Sequence, residues 1–412
     1  MRILISGGGT GGHVYPALAV VDHLVDPKAG QPRDLPAAQP ADPAAPKRPA
    51  AANQNPTPSP QKNQILWVGS SDGLERGLVE RAGLTYRGID TGQLRGINPL
   101  TALANAGKIM RGVGQALAIL KEFRPHVCFV TGGYVCVPVA IACRMRGVPL
   151  LIYLPDMAPG LAIKRLSMLA QKVAVSFPDA AAYFPGKAVV TGYPVRRELV
   201  EAAQDRQASR HRLAATLGLD LGTDLGADGT ETPPLLLVWG GSQGARSINL
   251  AVQANLADLL PLAHILHITG TLDYDRVADG LKDLPTLWQN RYHPVAYLHD
   301  EMPQALAAAD VSVCRAGASI LGELPVARLV SVLAPYPYSG AHQWPNARQL
   351  ADRGGAVIVA DDALGTDLVP VLRDLLQNPV HRQKMESALA ALAQPVAAAN
   401  IAKALTALAR KN

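Results

Sequence analysis

Charge and cysteine are both scarce in this chain. Asp, Glu, Lys and Arg make up 17% of its 412 residues, and there are four cysteines. Cys128, Cys136, Cys143 and Cys314 form no CxxC pair, and three lie in apolar segments where a thiol acts as a small hydrophobe. That pattern fits a reducing compartment and excludes a cysteine metal site. So little charge beside 48% hydrophobic residues excludes a disordered chain. No apolar run is long enough for a bilayer span: the longest charge-free one, Val127 to Cys143, is broken by Gly132, Gly133 and Pro138 and falls short of ~20 residues. Met1 leads straight into an apolar segment without a basic leader, so export is not expected. No carboxylate-pair metal motif is visible, and no metal or other cofactor is expected.

What is present is enough apolar material for two cores, since single cores stop growing near ~250 to 300 residues. Charge is unevenly divided. Residues up to Arg197 carry 22 basic and 11 acidic side chains, whereas Glu198 onward carries 17 and 22, so the halves stand at +11 and −5. A basic first half points to an anion there: a phosphate-bearing substrate, a nucleic acid or an anionic membrane surface. Uneven surface decoration is the plain alternative.

Along the chain, apolar strands are expected at Arg2–Ser6, Ile65–Gly69, His126–Thr131, Pro149–Tyr153, Lys172–Ser176 and Ala188–Thr191, alternating with helices. The alternation starts afresh at Leu235–Trp239 and runs to about Asn378. This β/α spacing predicts two doubly wound, parallel, Rossmann-like α/β domains. Boundaries are expected at 1–195 and 196–380, with helices in 381–412 returning to the first domain. Residues 27–63 carry ten prolines and no aromatic residue, which reads as a disordered Pro/Ala-rich insertion. A second loop insertion is expected at 220–234.

Each half opens with a glycine turn between strand and helix. The first reads Gly7-Gly8-Gly9-Thr10-Gly11-Gly12-His13, the second Gly240-Gly241-Ser242-Gln243-Gly244-Ala245-Arg246. Glycines let a ligand approach the backbone, and the free N–H groups and positive helix end favour phosphate. A nicotinamide-binding reading needs an acidic residue ending the second strand, where Gly69-Ser70-Ser71-Asp72 stands, and explains only one such turn. A P-loop kinase needs Gly-Lys-Ser/Thr, which is absent. His13 at a helix entrance is kept neutral by the dipole and is a candidate base; a helix-capping role is the alternative. Further polar clusters fall at strand ends, where open α/β sheets hold ligands. They are Arg196 in Gly192–Arg196, Glu323 beyond Cys314–Ser319, and the amides of His342-Gln343-Trp344-Pro345-Asn346.

These motifs, SGGGTGGHVYPALA from Ser6, TGGYVCVP from Thr131, GYPVR from Gly192, GGSQGAR from Gly240, DEMPQALAAADVSVCRAGAS from Asp300 and HQWPNA from His342, resemble the MurG family over nearly the whole chain. The resemblance implies a GT-B fold with a cleft between the domains. It also implies inverting transfer of GlcNAc from UDP-GlcNAc to a lipid-linked MurNAc-pentapeptide acceptor in peptidoglycan synthesis, at the cytoplasmic face of the membrane. By position it implies that Thr10, Gly11 and Gly12 line the donor–acceptor junction, with His13 a candidate base. Arg196 and Ser242 would meet the diphosphate, Glu323 the ribose, Gln343 the donor sugar, and the backbone at Leu298 or His299 the uracil. Tyr134, Gln243, Ala318, Ser319 and Asn346, in the same motifs, complete the set. Implied partners are a UDP-sugar donor, a polyprenyl-pyrophosphate-linked acceptor and an anionic membrane surface, with no nucleic acid. One departure stands out: where the family usually has His-Glu-Gln-Asn, this chain has Tyr153-Leu154-Pro155-Asp156, a charge in place of a donor-contacting amide. A transferase using another UDP-sugar or lipid acceptor is therefore the nearest alternative, ahead of a UDP-GlcNAc epimerase or a nicotinamide oxidoreductase. The helix from Leu100 to Phe123, apolar on one side and basic on the other, is expected to pack on its own sheet, with membrane contact as the alternative.

Overall fold

The protein is described by a computed structural model covering residues 1–8, 11–26, 63–73, 75–92, 99–221, 233–241, 244–338 and 343–410. The proline-rich stretch read at 27–63 lies outside the described residues except for Asn63, as does most of the loop at 220–234. Asn63 Nδ2 donates to the Leu24 carbonyl at 2.8 Å, so the chain re-enters the fold beside the end of the first helix.

Strands β1 (Arg2–Gly7), β2 (Gln64–Ser70), β3 (Thr85–Ile89), β4 (Val127–Gly132), β5 (Leu150–Leu154), β6 (Lys172–Val175) and β7 (Ala188–Val190) form one sheet. Its order is β3-β2-β1-β4-β5-β6-β7. Strands β8 (Leu235–Trp239), β9 (His264–Ile268), β10 (Tyr292–Val295), β11 (Val311–Cys314), β12 (Val330–Leu333) and β13 (Ala356–Ile358) form a second, ordered β10-β9-β8-β11-β12-β13. Pairing is parallel throughout both sheets. Helices cover both faces, so the central strands are buried on both sides and read as unbroken apolar runs, as in Leu235–Val238. Edge strands depart from this, β3 most of all. It lies on the sheet edge with alternating exposure, and its Thr-Tyr-Arg-Gly-Ile lacks the apolar run that marks the central strands.

Strand order reverses between β1 and β4 in the first sheet and between β8 and β11 in the second. A crevice opens at such switch points beyond the carboxyl ends of the strands. Each glycine turn follows a switch-point strand, β1 or β8.

The chain passes between domains twice, after β7 through Thr191–Arg196 and again at 393–396. Helix Pro379–Leu392 packs on helices Ile320–Ala327 and Leu364–Gln377 of the second domain, whereas helix Ala397–Ala409 packs on helix Gly11–Val25 and on β4 and β5 of the first. Asn400 Nδ2 donates to the Thr191 carbonyl at 3.2 Å, tying the two crossings together. An 18-residue window within Pro379–Ala409 is apolar enough to resemble a membrane span, with mean hydropathy 1.3. The stretch is two helices, and each turns buried residues (Met385 and Leu389; Ile401 and Leu405) onto protein.

Helix Pro99–Phe123 buries Ile109, Val113, Ala116 and Leu120, and packs mainly on helix Cys136–Arg146. Its apolar stripe is thus consumed inside its own domain.

Candidate active site between the two sheets

A cavity of about 630 Å³ lies between the sheets. From the first domain it is walled by Gly11, Gly12, His13 and Tyr15, by Pro155 and Asp156 after β5, and by the crossing segment Tyr193–Arg196. The second domain contributes Gly240, Gly241 and Gly244, the segment Tyr297–His299, and Arg315, Ala318, Ser319, Glu323 and Gln343. Among the residues singled out from sequence, Gly11, Gly12, His13, Asp156, Arg196, Leu298, His299, Ala318, Ser319, Glu323 and Gln343 share this one cavity. Thr10, Ser242, Gln243 and His342 lie outside the described residues. Tyr134 is not part of the wall and is 47% exposed, and Asn346 is fully buried behind Asp156.

The first turn is held from three sides. Trp67 Nε1 donates to the Gly7 carbonyl at 3.1 Å, and the Gly8 N–H donates to the Gly132 carbonyl at 3.1 Å. Gly132 and Gly133 take positive φ of 126° and 93°. A Cβ at Gly132 would come within 2.7 Å of the His13 ring, and one at Gly133 within 2.5 Å of the Gly8 carbonyl oxygen. The glycine pair after β4 therefore makes room for both the turn and the imidazole. His13 sits in the first turn of helix Gly11–Val25, and its buried Nδ1 has no hydrogen-bond partner among the described residues. Burial pulls its pKa below the ordinary histidine value, while the Asp156 carboxylate and the Thr131 carbonyl pull the other way. A neutral imidazole on the wall of a cavity is able to take a proton.

Glu75 is a residue that sequence reasoning passed over. Its carboxylate, 2% exposed, accepts from the Ser70 N–H at 2.9 Å and the Tyr86 hydroxyl at 3.2 Å. A Cβ on Gly8 would lie 2.7 Å from Glu75 Oε1, so this acid packs under the first turn. It occupies the region where a dinucleotide fold would offer an acid to a ribose, but its Oε1 is already engaged twice by the protein.

In the second domain, Gly244 takes φ +78°, and a Cβ there would meet the Thr269 carbonyl oxygen at 2.3 Å. That carbonyl is held by Asn249 Nδ2 at 2.8 Å, and Asn249 Oδ1 meets His267 Nε2 at 3.0 Å. Ala318 and Ser319 stand at the N-terminus of helix Ile320–Ala327, whose dipole favours an anion. Arg196 lies over the Tyr15 ring at 4.8 Å and donates to the His299 carbonyl at 3.3 Å, spanning the cleft with a guanidinium. Burial raises the Glu323 carboxyl above its usual range, opposed by Arg196 and by a hydrogen bond from Ser319. Gln343 Oε1 accepts from the Tyr336 and Ala316 N–H groups at 2.9 and 3.2 Å, which leaves its amide nitrogen as the donor for a ligand.

Arg315 was also missed, although a charge at the end of a buried strand is a legible signal. It is 9% exposed, donates to Ser247 Oγ at 2.7 Å and to the Ala334 carbonyl at 3.0 Å, and pairs with Asp361. Ser247 belongs to helix Arg246–Ala254, which follows the second glycine turn.

Family comparisons agree along both domains. The model of the glycosyltransferase family 28 N-terminal domain matches residues 60–175, and that of the family 28 C-terminal domain matches residues 235–402. A UDP-N-acetylglucosamine--N-acetylmuramyl-(pentapeptide) pyrophosphoryl-undecaprenol N-acetylglucosamine transferase of Roseiflexus sp. (strain RS-1) is 40% identical, over 98% of this chain and 94% of the relative. A protein of the same description from Desulforudis audaxviator (strain MP104C) is 37% identical over 100% and 99%. Among solved structures, Acinetobacter baumannii MurG superposes with TM-score 0.68 at 24% identity, covering 98% of this chain and 99% of that one. A UDP-GlcNAc 2-epimerase from Neisseria meningitidis bound to UDP-GlcNAc gives 0.63 at 12%, covering 100% of both chains, a likeness of fold alone.

Proposed function

Because the chain belongs to the MurG family of GT-B glycosyltransferases, we infer that it transfers GlcNAc from UDP-GlcNAc to MurNAc-pentapeptide pyrophosphoryl-undecaprenol. The observation that carries this reading at the level of the site is the cavity between the two sheets, which has a glycine turn on either side and a neutral histidine on one wall. The reaction is an in-line displacement. His13 takes the proton of the acceptor hydroxyl as its oxygen attacks the anomeric carbon from one face. The bond to the UDP oxygen breaks on the other, which inverts the centre. Negative charge gathering on the diphosphate meets the helix N-terminus at Ala318 and Ser319, the N–H groups of the second turn, and Arg196. In this reading no metal is required, and turnover should persist in the presence of EDTA. Glu323 binds the ribose hydroxyls, the backbone at Leu298–His299 takes the base, and Gln343 reads the sugar.

A lipid-linked acceptor calls for an enzyme working at a membrane surface, and in this reading it is the inner face of the cell membrane. Support for a membrane surface comes from the adjoining helices Cys136–Arg146 and Leu161–Leu166. Met145, Leu161 and Met168 are 64%, 57% and 77% exposed there, beside Arg144, Arg146, Lys164 and Arg165. Exposed apolar side chains ringed by cations suit an anionic bilayer.

The epimerase alternative shares the fold but predicts UDP-sugar conversion without an acceptor. The test is a panel of UDP-sugars with and without lipid acceptor, following UDP release. Release should require the acceptor and be fastest with UDP-GlcNAc. Acceptor-independent change of the sugar, or preference for another donor, would overturn the assignment.

A further inference from the structure

The carboxylate of Asp156 stands in the same cavity as the His13 imidazole, at the end of β5. It is held from the opposite domain. Asn346, fully buried in helix Gln343–Ala351, donates through Nδ2 to Asp156 Oδ1 at 2.9 Å and to the Ala316 carbonyl at 3.2 Å. Its Oδ1 accepts from the Met157 N–H at 3.0 Å. One amide thus joins the two domains through Asp156 and Met157, is anchored in its own domain by Ala316, and fixes one carboxylate oxygen. No cation among the described residues pairs with Asp156 as a salt bridge, whereas its charge is felt at His13. Tyr153 and Tyr193 also sense that charge and are held neutral by burial. Glu323, Arg196 and Arg315 are the other charged groups on the cavity wall.

We propose that Asp156 is a positioning residue, the carboxylate partner of His13 in proton removal, and that Asn346 makes this partnership depend on the two domains being closed. The proposal rests on His13 being the base. As the acceptor oxygen bonds to the anomeric carbon, its proton passes to the imidazole and the electron pair of the broken bond leaves with UDP. Asp156 stays ionised and stabilises the imidazolium that forms. When the domains part, Asn346 withdraws and the carboxylate is free to turn away, so His13 is a strong base only over an assembled site.

The test is kcat/KM against pH, from about 5 to 9, for the full-length enzyme with UDP-GlcNAc and lipid-linked acceptor, comparing wild type with Asp156→Asn, Asn346→Ala and His13→Ala. A removed charge within reach of a histidine moves its pKa by about one unit or more. In Asp156→Asn the acid limb should therefore move to lower pH by about one unit, with a plateau reduced roughly three- to tenfold because the base is weaker. Asn346→Ala should move the limb in the same direction, and calorimetric affinity for UDP should change little in either. An acid limb that vanishes in His13→Ala but stays fixed in Asp156→Asn would sink the partnership and leave the base assignment intact. A raised KM for UDP-GlcNAc with that limb unmoved would make Asp156 a donor contact instead. An unaltered limb in His13→Ala would remove the base assignment and this proposal with it.

Discussion

Replacing Arg315 by Met should cost the second domain about 3 kcal/mol and weaken its grip on UDP. The guanidinium bonds Ser247 at 2.7 Å and the Ala334 carbonyl at 3.0 Å, pairs with Asp361, and lies 5.2 Å from the centre of the Tyr336 ring. Methionine fills much of the stem volume but leaves the Asp361 carboxylate, 21% exposed, without its cation. Breaking one side of a buried pair costs about 3 to 5 kcal/mol, and the partial wetting of Asp361 places this case at the lower end. For a domain of this size each kcal/mol moves Tm by about 2 to 4 °C, so the transition should fall by about 6 to 12 °C. Ser247 anchors the helix behind the second glycine turn, so UDP affinity should drop about tenfold, or 1.4 kcal/mol. Arg315→Lys should recover only part of either loss, since an ammonium lacks the planar fork that reaches several acceptors. Differential scanning calorimetry and UDP titration read the two effects. A loss below about 1 kcal/mol with UDP affinity unchanged would refute the view of Arg315 as the tie between turn and sheet.

His13→Ala should lower kcat by roughly 10² to 10⁴ with UDP binding nearly unchanged, as stopped assays and calorimetry would show; full turnover would take His13 out of the reaction. Burial, with Arg276 adding to it, pulls the His267 pKa down to about 3, and burial pulls His264 to about 4, from 6.5. Between pH 6.5 and about 4 the unfolded chain therefore holds up to two more protons on these histidines than the folded one. Stability should fall with falling pH by about 1.4 kcal/mol per unit per histidine, measured by urea unfolding at pH 7 and pH 5; a flat profile would contradict those buried, neutral rings. Met145→Glu with Met168→Glu should abolish flotation with anionic vesicles, while UDP binding persists, and wild-type flotation should weaken with salt. Undiminished flotation would move the membrane contact elsewhere.

The parallel architecture was legible because central strands such as Leu235–Trp239 must be apolar on both faces, and because each sheet restarts with a glycine turn. Edge strand β3 was not, since half of its side chains face water. Site residues next to the turns and strand ends, including His13, Arg196 and Glu323, were within reach of the positional logic of α/β sheets. The links that organise them were not. Asn346 and Asp156 are 190 residues apart in sequence, and Glu75 reaches the first turn only because β2 lies beside β1. Local periodicity carries no information on such pairings. Asp156 was visible as an odd charge, but its clamp from the other domain needed the fold.

The most direct measurement is product analysis after incubating the purified enzyme with UDP-GlcNAc and MurNAc-pentapeptide pyrophosphoryl-undecaprenol. Mass spectrometry should find one HexNAc added per acceptor and one UDP released per transfer, and NMR should find the new linkage β from the α-linked donor. An unmodified acceptor beside consumed UDP-GlcNAc, or a product with retained configuration, would contradict the account.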